Sequence, residues 1–327
     1  MHLPRFEYIE PKTVKEACSL LSKLKGKAKV LSGGTDLLVM MKQKVLTPQY
    51  VVNIKAIKDL TSISKDKNGL KIGALARLSD IEKSPLIQKR LPMLSAAAGS
   101  VATKQIRGTA TLGGNLCLDS KCWYYNQSHI WRKSREACLK RGGDHCHVVK
   151  GGKRCYAVLS GDTVPVLVAL GAKVKVVKSG QQRLIPVEEF FTGLGETPNI
   201  LKPDEMMTEI RVPFLPAGAR GVFVKHSVRG AIDFGIADAA AVVVGKNGVC
   251  KEAKIVISSV GPAVVRAKEA EEILKGKEIG DSVLEEAGKA AVKEVRLVSG
   301  AQSSIYYRRK IIHAITKQVV RQAMGLN

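Results

Sequence analysis

Four cysteines in one short basic stretch, Cys122, Cys138, Cys146 and Cys155, constrain this chain more than any other feature. Seven cysteines occur in 327 residues, and five of them lie between Cys117 and Cys155. Thiolate is the ligand of iron–sulfur clusters and of zinc, so a segment carrying four must fold around what they hold. Disulfides are the competing use. The chain opens Met-His-Leu-Pro-Arg-Phe-Glu, with no apolar run behind a basic start, so no secretory signal is expected. The longest apolar runs, such as the one near Ala239, are far too short for a membrane span. A cytoplasmic protein keeps its thiols reduced, and seven is an odd number for a disulfide framework.

Spacing separates the two kinds of metal centre only in part. Structural zinc sites use tight Cys-x-x-Cys pairs. Here the gaps are fifteen, seven and eight residues, which suits a loop folded around a larger cubane. His129, His145 and His147 lie in the same stretch and keep zinc open. Nine Lys/Arg stand against three Asp/Glu between Cys117 and Cys155. Lys121, Arg132, Lys133, Lys140, Arg141, Lys153 and Arg154 would offset a negative cluster, although a solvated basic surface gives the same pattern. Both tryptophans, Trp123 and Trp131, sit here beside Tyr124 and Tyr125, either as a shield against water or as ordinary loop packing.

The basic excess extends over the whole chain: 53 Lys+Arg against 29 Asp+Glu give +24. Such a charge steers acidic partners. Nucleic acid is not the expected one. The charges are spread rather than massed in a stripe, aromatics are only 5%, and no recognition motif is present.

Periodicity divides the chain into three. Thr13–Leu24 reads as a helix with Thr13 as N-cap and Glu16 completing a capping box. Strands at 29–31 and 50–54 flank a glycine turn and a helix over 37–41, which makes a small α/β unit. Next come a strand at 70–75, helices over 78–87 and 93–101, a helix from Asp162 to Leu170 and a strand at 172–177. Beyond Pro213, strands at 221–228, 237–244 and 254–259 and helices over 267–274, 283–295 and 304–323 predict a sheet with helices on one face.

Two glycine turns stand out, Ser32-Gly-Gly-Thr-Asp-Leu37 and Thr111-Leu-Gly-Gly-Asn115. Adjacent glycines let a phosphate approach the backbone, and a following helix offers free N–H groups. Neither Gly-x-Gly-x-x-Gly nor a P-loop is present, so Rossmann and Walker-type sites are excluded. These turns, with Lys104-Gln-Ile-Arg-Gly-Thr-Ala, Asp162 in Ser-Gly-Asp-Thr-Val-Pro, and Lys225 and Arg229 in Val-Lys-His-Ser-Val-Arg, resemble the flavoprotein subunits of the xanthine dehydrogenase and CO dehydrogenase family. Most of that family runs almost directly from the second turn to the Asp. Here about forty residues intervene, and this insert resembles the 4-hydroxybenzoyl-CoA reductase β-subunit branch, whose extra loop holds a [4Fe-4S] cluster.

The resemblance implies an α+β chain. An FAD-binding domain of the PCMH/CO dehydrogenase flavoprotein type comprises two α/β subdomains, 1–55 and 56–213, the latter carrying the cluster loop 117–156; a C-terminal α+β domain spans 214–327. It implies that Lys29, Val30, Leu31, Ser32, Gly33, Gly34, Thr35 and Asp36, with Thr111, Gly113, Gly114 and Asn115, wrap the FAD diphosphate. Val101, Asp162, Lys225 and Leu201 would lie near the ring or ribityl chain, and Cys122, Cys138, Cys146 and Cys155 would ligate the cluster. The bland alternatives are a helix N-cap for Asp162 and a surface charge for Lys225. Cys117 reads as a small buried hydrophobe, and Cys18, in an amphipathic helix, and Cys250, near a turn, read as structural. No Cys-x-x-Gly-x-Cys motif and no molybdopterin signature occur. The implied role is therefore electron transfer between ferredoxin and partner subunits holding [2Fe-2S] and molybdopterin, with no substrate chemistry in this chain. The rivals are a xanthine dehydrogenase-type subunit that reduces NAD and a basic zinc-binding scaffold.

Overall fold

The first helix shows how local chemistry sets boundaries. Thr13 is extended, and its hydroxyl accepts from the Glu16 amide at 3.1 Å, satisfying a free N–H of the first turn. The Glu16 carboxylate accepts from the Lys12 amide at 2.8 Å, one residue ahead of the cap. Val14–Lys23 then turns Ala17, Cys18 and Leu21 inward. The structure, a computed structural model, describes residues 2–300 and 303–326.

Three sheets organise the chain. β1 (Glu7–Ile9), β2 (Ala28–Leu31) and β3 (Tyr50–Asn53) form a parallel sheet in the order β1-β3-β2. Helices Val14–Lys23 and Leu37–Lys42 fill its crossovers, as parallel pairing requires. β4 (Ile63–Lys65), β5 (Gly69–Gly73), β6 (Lys173–Lys178), β7 (Gln181–Pro186) and β8 (Met206–Pro213) form an antiparallel sheet in the order β4-β5-β8-β6-β7. Leu70, Ile72, Val174 and Ile210 of this sheet share one core with Leu94 and Leu167 from the helices. β9 (Ala219–His226), β10 (Ala237–Lys246), β11 (Val249–Ser258) and β12 (Val265–Arg266) form the third sheet, in the order β12-β11-β10-β9.

The third sheet is buried on both faces. Ala239, Ala241, Val243 and Ile255 pack beneath helices Asp281–Glu294 and Ile305–Met324, through Leu284, Ile312 and Val319. Ala240 and Val256 point the other way, into the core of the second unit, where Phe223 and Val242 also pack. Burial on both sides explains the unbroken apolar run at 239–244. It also sets the site: Lys225 lies two residues from Phe223 and shares its face.

The structure departs from the sequence reading at several elements. The helix expected over 78–87 is two, Leu78–Lys83 and Pro85–Arg90. Pro85 has no N–H to continue the first, and the Ser84 hydroxyl caps the second through the Ile87 amide at 3.4 Å. The second glycine turn is the first turn of a short helix, Leu112–Leu116, capped by Thr111. The helix expected from Asp162 is Val164–Ala169, whose N-cap position is Thr163. Strands β7 and β8 were not expected at all. Among the described residues no helix is long and apolar enough to cross a membrane.

Candidate functional site

The two glycine segments meet. The Thr111 hydroxyl donates to Ser32 Oγ at 3.3 Å across the gap between them. Gly33 has no room for a side chain, since a Cβ would stand 2.2 Å from the Thr109 carbonyl. Gly34 has φ +76°, where L side chains are strained. Their chemistry differs. In the first loop the amides of Gly33, Gly34, Thr35 and Asp36 donate to no protein acceptor among the described residues. Such a run of free N–H groups suits an anion. In the second, Leu112 donates to Ala76 O at 3.0 Å, Gly113 to Ala74 O at 2.9 Å and Gly114 to Thr111 Oγ1 at 3.1 Å. That loop is an anchor with engaged amides. Behind the first loop, Lys29 is exposed on β2, Val30 is half-buried and Leu31 is buried.

From the second loop the network runs inward. Asn115 Oδ1 accepts from the Thr163 hydroxyl at 2.6 Å and the Thr163 amide at 3.2 Å. Thr163 adjoins Asp162, which is not a helix cap. Asp162 Oδ2 accepts from Lys225 Nζ at 2.7 Å, and Lys225 also donates to the carbonyls of Ser100 (3.1 Å) and Asp233 (3.0 Å). Lys225 is therefore no surface charge; its side chain is 9% exposed and all three protons are engaged. Burial pushes the Asp162 carboxyl up to about 6, against the opposing pull of Lys225. Its Oδ1 is buried without a hydrogen-bond partner among the described residues. A buried orphan oxygen beside a cation marks where a polar ligand group fits. Val101 follows Ser100 and packs on the central core, with its carbonyl accepting from Arg107 at 2.9 Å. Leu201 packs on that core too and is joined to the network by no hydrogen bond.

The insert folds back on itself. Lys121 and Val158 close its neck by two hydrogen bonds of 2.8 Å. Cys122, Cys138, Cys146 and Cys155 line one cavity with Tyr124, Tyr125, Lys140 and His147; Cys117 is not among them. Cys138 and Cys146, and in turn Cys155, are near enough to Cys122 to interact electrostatically. The thiols ring the cavity without closing on a point: among the described residues, no group of three or more His, Cys, Asp or Glu is placed to hold a metal ion. Burial pushes the Cys122 thiol up, and Cys155 up to about 11. Cys117, pushed up by burial to about 12, packs on the central core as an inert hydrophobe.

Two contacts that sequence reasoning missed hold the insert against the first glycine loop and the helix that follows it, and a third braces the insert itself. Lys121 pairs with Asp36 of the first loop. Buried Arg132 donates to the carbonyls of Gln43 (3.2 Å) and Lys44 (2.8 Å) at the end of helix Leu37–Lys42. Lys140 donates to Asp119 and Ser120, each at 2.7 Å. Asp238, deep in β10, was also missed; the readable signal was one carboxylate inside an apolar strand.

Comparison with known proteins agrees with this architecture. Residues 4–215 match the FAD binding domain in molybdopterin dehydrogenase, and residues 223–323 match the CO dehydrogenase flavoprotein C-terminal domain. The carbon monoxide dehydrogenase medium chain of Hydrogenophaga pseudoflava is 28% identical over 98% of this chain and 96% of its own. The nicotinate dehydrogenase FAD-subunit of Eubacterium barkeri is 27% identical over 96% of this chain and 94% of its own. The solved carbon monoxide dehydrogenase from Hydrogenophaga pseudoflava that lacks the Mo-pyranopterin moiety superposes with a TM-score of 0.82 at 28% identity, covering 99% of both chains. Fold and family match thus define an FAD-binding subunit of an oxidoreductase. The chain belongs to the CO dehydrogenase/xanthine dehydrogenase family of molybdenum hydroxylases, as its FAD-binding medium subunit.

Proposed function

We propose that this chain is the FAD- and [4Fe-4S]-carrying subunit of a 4-hydroxybenzoyl-CoA reductase-like enzyme. It would pass electrons between ferredoxin and partner subunits holding [2Fe-2S] and molybdopterin. The observation that carries the reading is the convergence of Cys122, Cys138, Cys146 and Cys155 on one cavity inside a basic insert. Four thiols ringing a cavity suit a cubane; a zinc ion bound at about 2.3 Å needs its sulfurs close together.

On the flavin side, the free amides of Gly33–Asp36 would accept the diphosphate, with Ser32 and the Thr111–Asn115 anchor closing over it. Asp162 and Lys225 would face the ring edge, Asp162 offering its unpaired Oδ1. Bound FAD supplies the junction between one-electron clusters and two-electron chemistry. The chain's own part is to hold the ring in a walled site and to fix charge beside it. Lys121 ties the insert to Asp36 of the first loop, and Lys140 braces the insert internally against Asp119.

The test is to purify the protein without oxygen and record its spectrum and iron content. Flavin bands over a broad brown absorbance, with about four irons per chain, are expected. A yellow protein with no stoichiometric iron after reconstitution removes the cluster, and a colourless zinc protein removes the redox reading.

A further inference from the structure

A second carboxylate lies behind Lys225 that no hydrogen bond of the network accounts for. Asp238 on β10 has no exposed surface and stands opposite Lys225 on β9, so both occupy one face of the third sheet. Its Oδ2 accepts from the Ser259 hydroxyl at 2.6 Å, while Oδ1 has no hydrogen-bond partner among the described residues. Gly235 keeps the space beside Oδ1 clear, for a Cβ there would stand 2.2 Å away.

The cations nearby are committed elsewhere. All three Lys225 protons go to Asp162, Ser100 and Asp233. Arg308, reaching in from the last helix, donates to Ser303 Oγ (2.9 Å) and to the carbonyls of Ile236 (2.9 Å) and Ser259 (2.6 Å). Asp233 faces Arg229 at 3.9 Å. Asp162, the other acid of the cluster, already holds the lysine. A carboxylate buried with one hydroxyl donor and no dedicated cation is costly to ionise, and its cheapest remedy is a proton.

We infer that Asp238 is a positioning residue that holds a proton at neutral pH, and by staying neutral leaves Lys225 committed to Asp162. Its surroundings agree in direction: burial, then the neighbouring Asp162 carboxylate, push Asp238 up to about 8, while Ser259, Lys225 and Arg308 pull it down. The consequence for a bound flavin rests on the function proposed above. The proton itself does not.

The test uses the full chain with its flavin. Infrared spectra are recorded across about pH 7–10, where ordinary carboxyls, and Asp162 at about 6, are largely ionised. The parent should show one protonated-carboxyl C=O band that disappears near pH 8. Asp238→Asn, which can still accept from Ser259, should lack the band. Ser259→Ala should move its disappearance to higher pH, because it removes a donor that favours the ionised form. A parent without the band, a band unchanged in Asp238→Asn, or a downward move in Ser259→Ala would overturn the inference. The flavin absorbance of the same samples reports on the ring separately. A ring indifferent to pH, beside a carboxyl band that behaves as stated, supports the proton and counts against the seat given to the flavin at Lys225.

Discussion

Gly114 stands where the two loops touch. A Cβ there would lie 3.0 Å from Thr111 Oγ1 and 3.2 Å from Ser32 Oγ, so valine must force the hydroxyl pair apart. Gly114→Val should therefore lower the FAD-to-protein ratio of purified material several-fold, read from absorbance; an unchanged ratio contradicts the role given to that contact. Cys138 is the complementary case. It lines the cavity of the insert and belongs to neither flavin loop. On the proposed function, Cys138→Ser should lose iron and keep flavin, and a joint loss would mean that the insert is needed to hold the first loop. Asp238 adds a pH effect whose sign can be worked out. The folded chain holds this proton up to about 8, the unfolded chain only to about 3.9. The folded state therefore binds the extra proton, and stability from this group declines as pH rises from about 4 through about 8. The melting temperature of the parent should fall across that window more than that of Asp238→Asn, measured by thermal scans on matched samples.

At the scale of elements, the insert is held to the parallel sheet unit by Arg132. Its guanidinium is buried and donates to Gln127 O at 2.5 Å as well as to Gln43 and Lys44. Those last two carbonyls follow helix Leu37–Lys42, at the end where free carbonyls need donors. Arg132→Ala should cost about 1–3 kcal/mol, as expected when carbonyl acceptors lose a buried charged donor. Hydrogen exchange should then quicken over 37–44 and 121–133 together; protection lost in only one segment would show that the two are not coupled. Elements whose cues are local were legible in the sequence. Thr13 announces its helix by its hydroxyl, and the apolar run at 239–244 announces a strand by burial on both sides. β7 was not, because Gln181, Gln182 and Arg183 are exposed at a sheet edge and carry no apolar alternation. The bend at Pro85 was readable in principle and hidden by the apolar spacing around it. The Asp162–Lys225 pair joins positions 63 apart, and no local pattern encodes such a contact. The motifs pointed to both residues through resemblance, whereas nothing in the first motif marked Lys121 as the partner of Asp36, and Asp238 had no motif at all.

The whole molecule carries +24, and the insert is strongly basic, with nine basic residues against three acidic ones between Cys117 and Cys155. Two apolar side chains emerge within it: Trp123 is 61% exposed and Ile130 82% exposed. Apolar contacts ringed by positive charge suit a brief encounter with an acidic carrier, in which charge governs the on-rate more than the affinity. If ferredoxin is that carrier, the rate of flavin reduction by reduced ferredoxin should fall steeply with ionic strength. Screening shortens from about 30 Å at 0.01 M to about 3 Å at 1 M, so steering that reaches across the insert at low salt is confined to direct contacts at high salt. Electrostatic steering raises association rates by about 10- to 1000-fold. Stopped-flow rates should therefore drop by at least about tenfold over that range while the flavin spectrum stays unchanged. Replacing Lys133 and Lys153 by Glu should reproduce part of the drop at low salt and flatten the remaining salt dependence. A rate indifferent to salt in the parent chain would mean that the basic face does not guide the electron carrier.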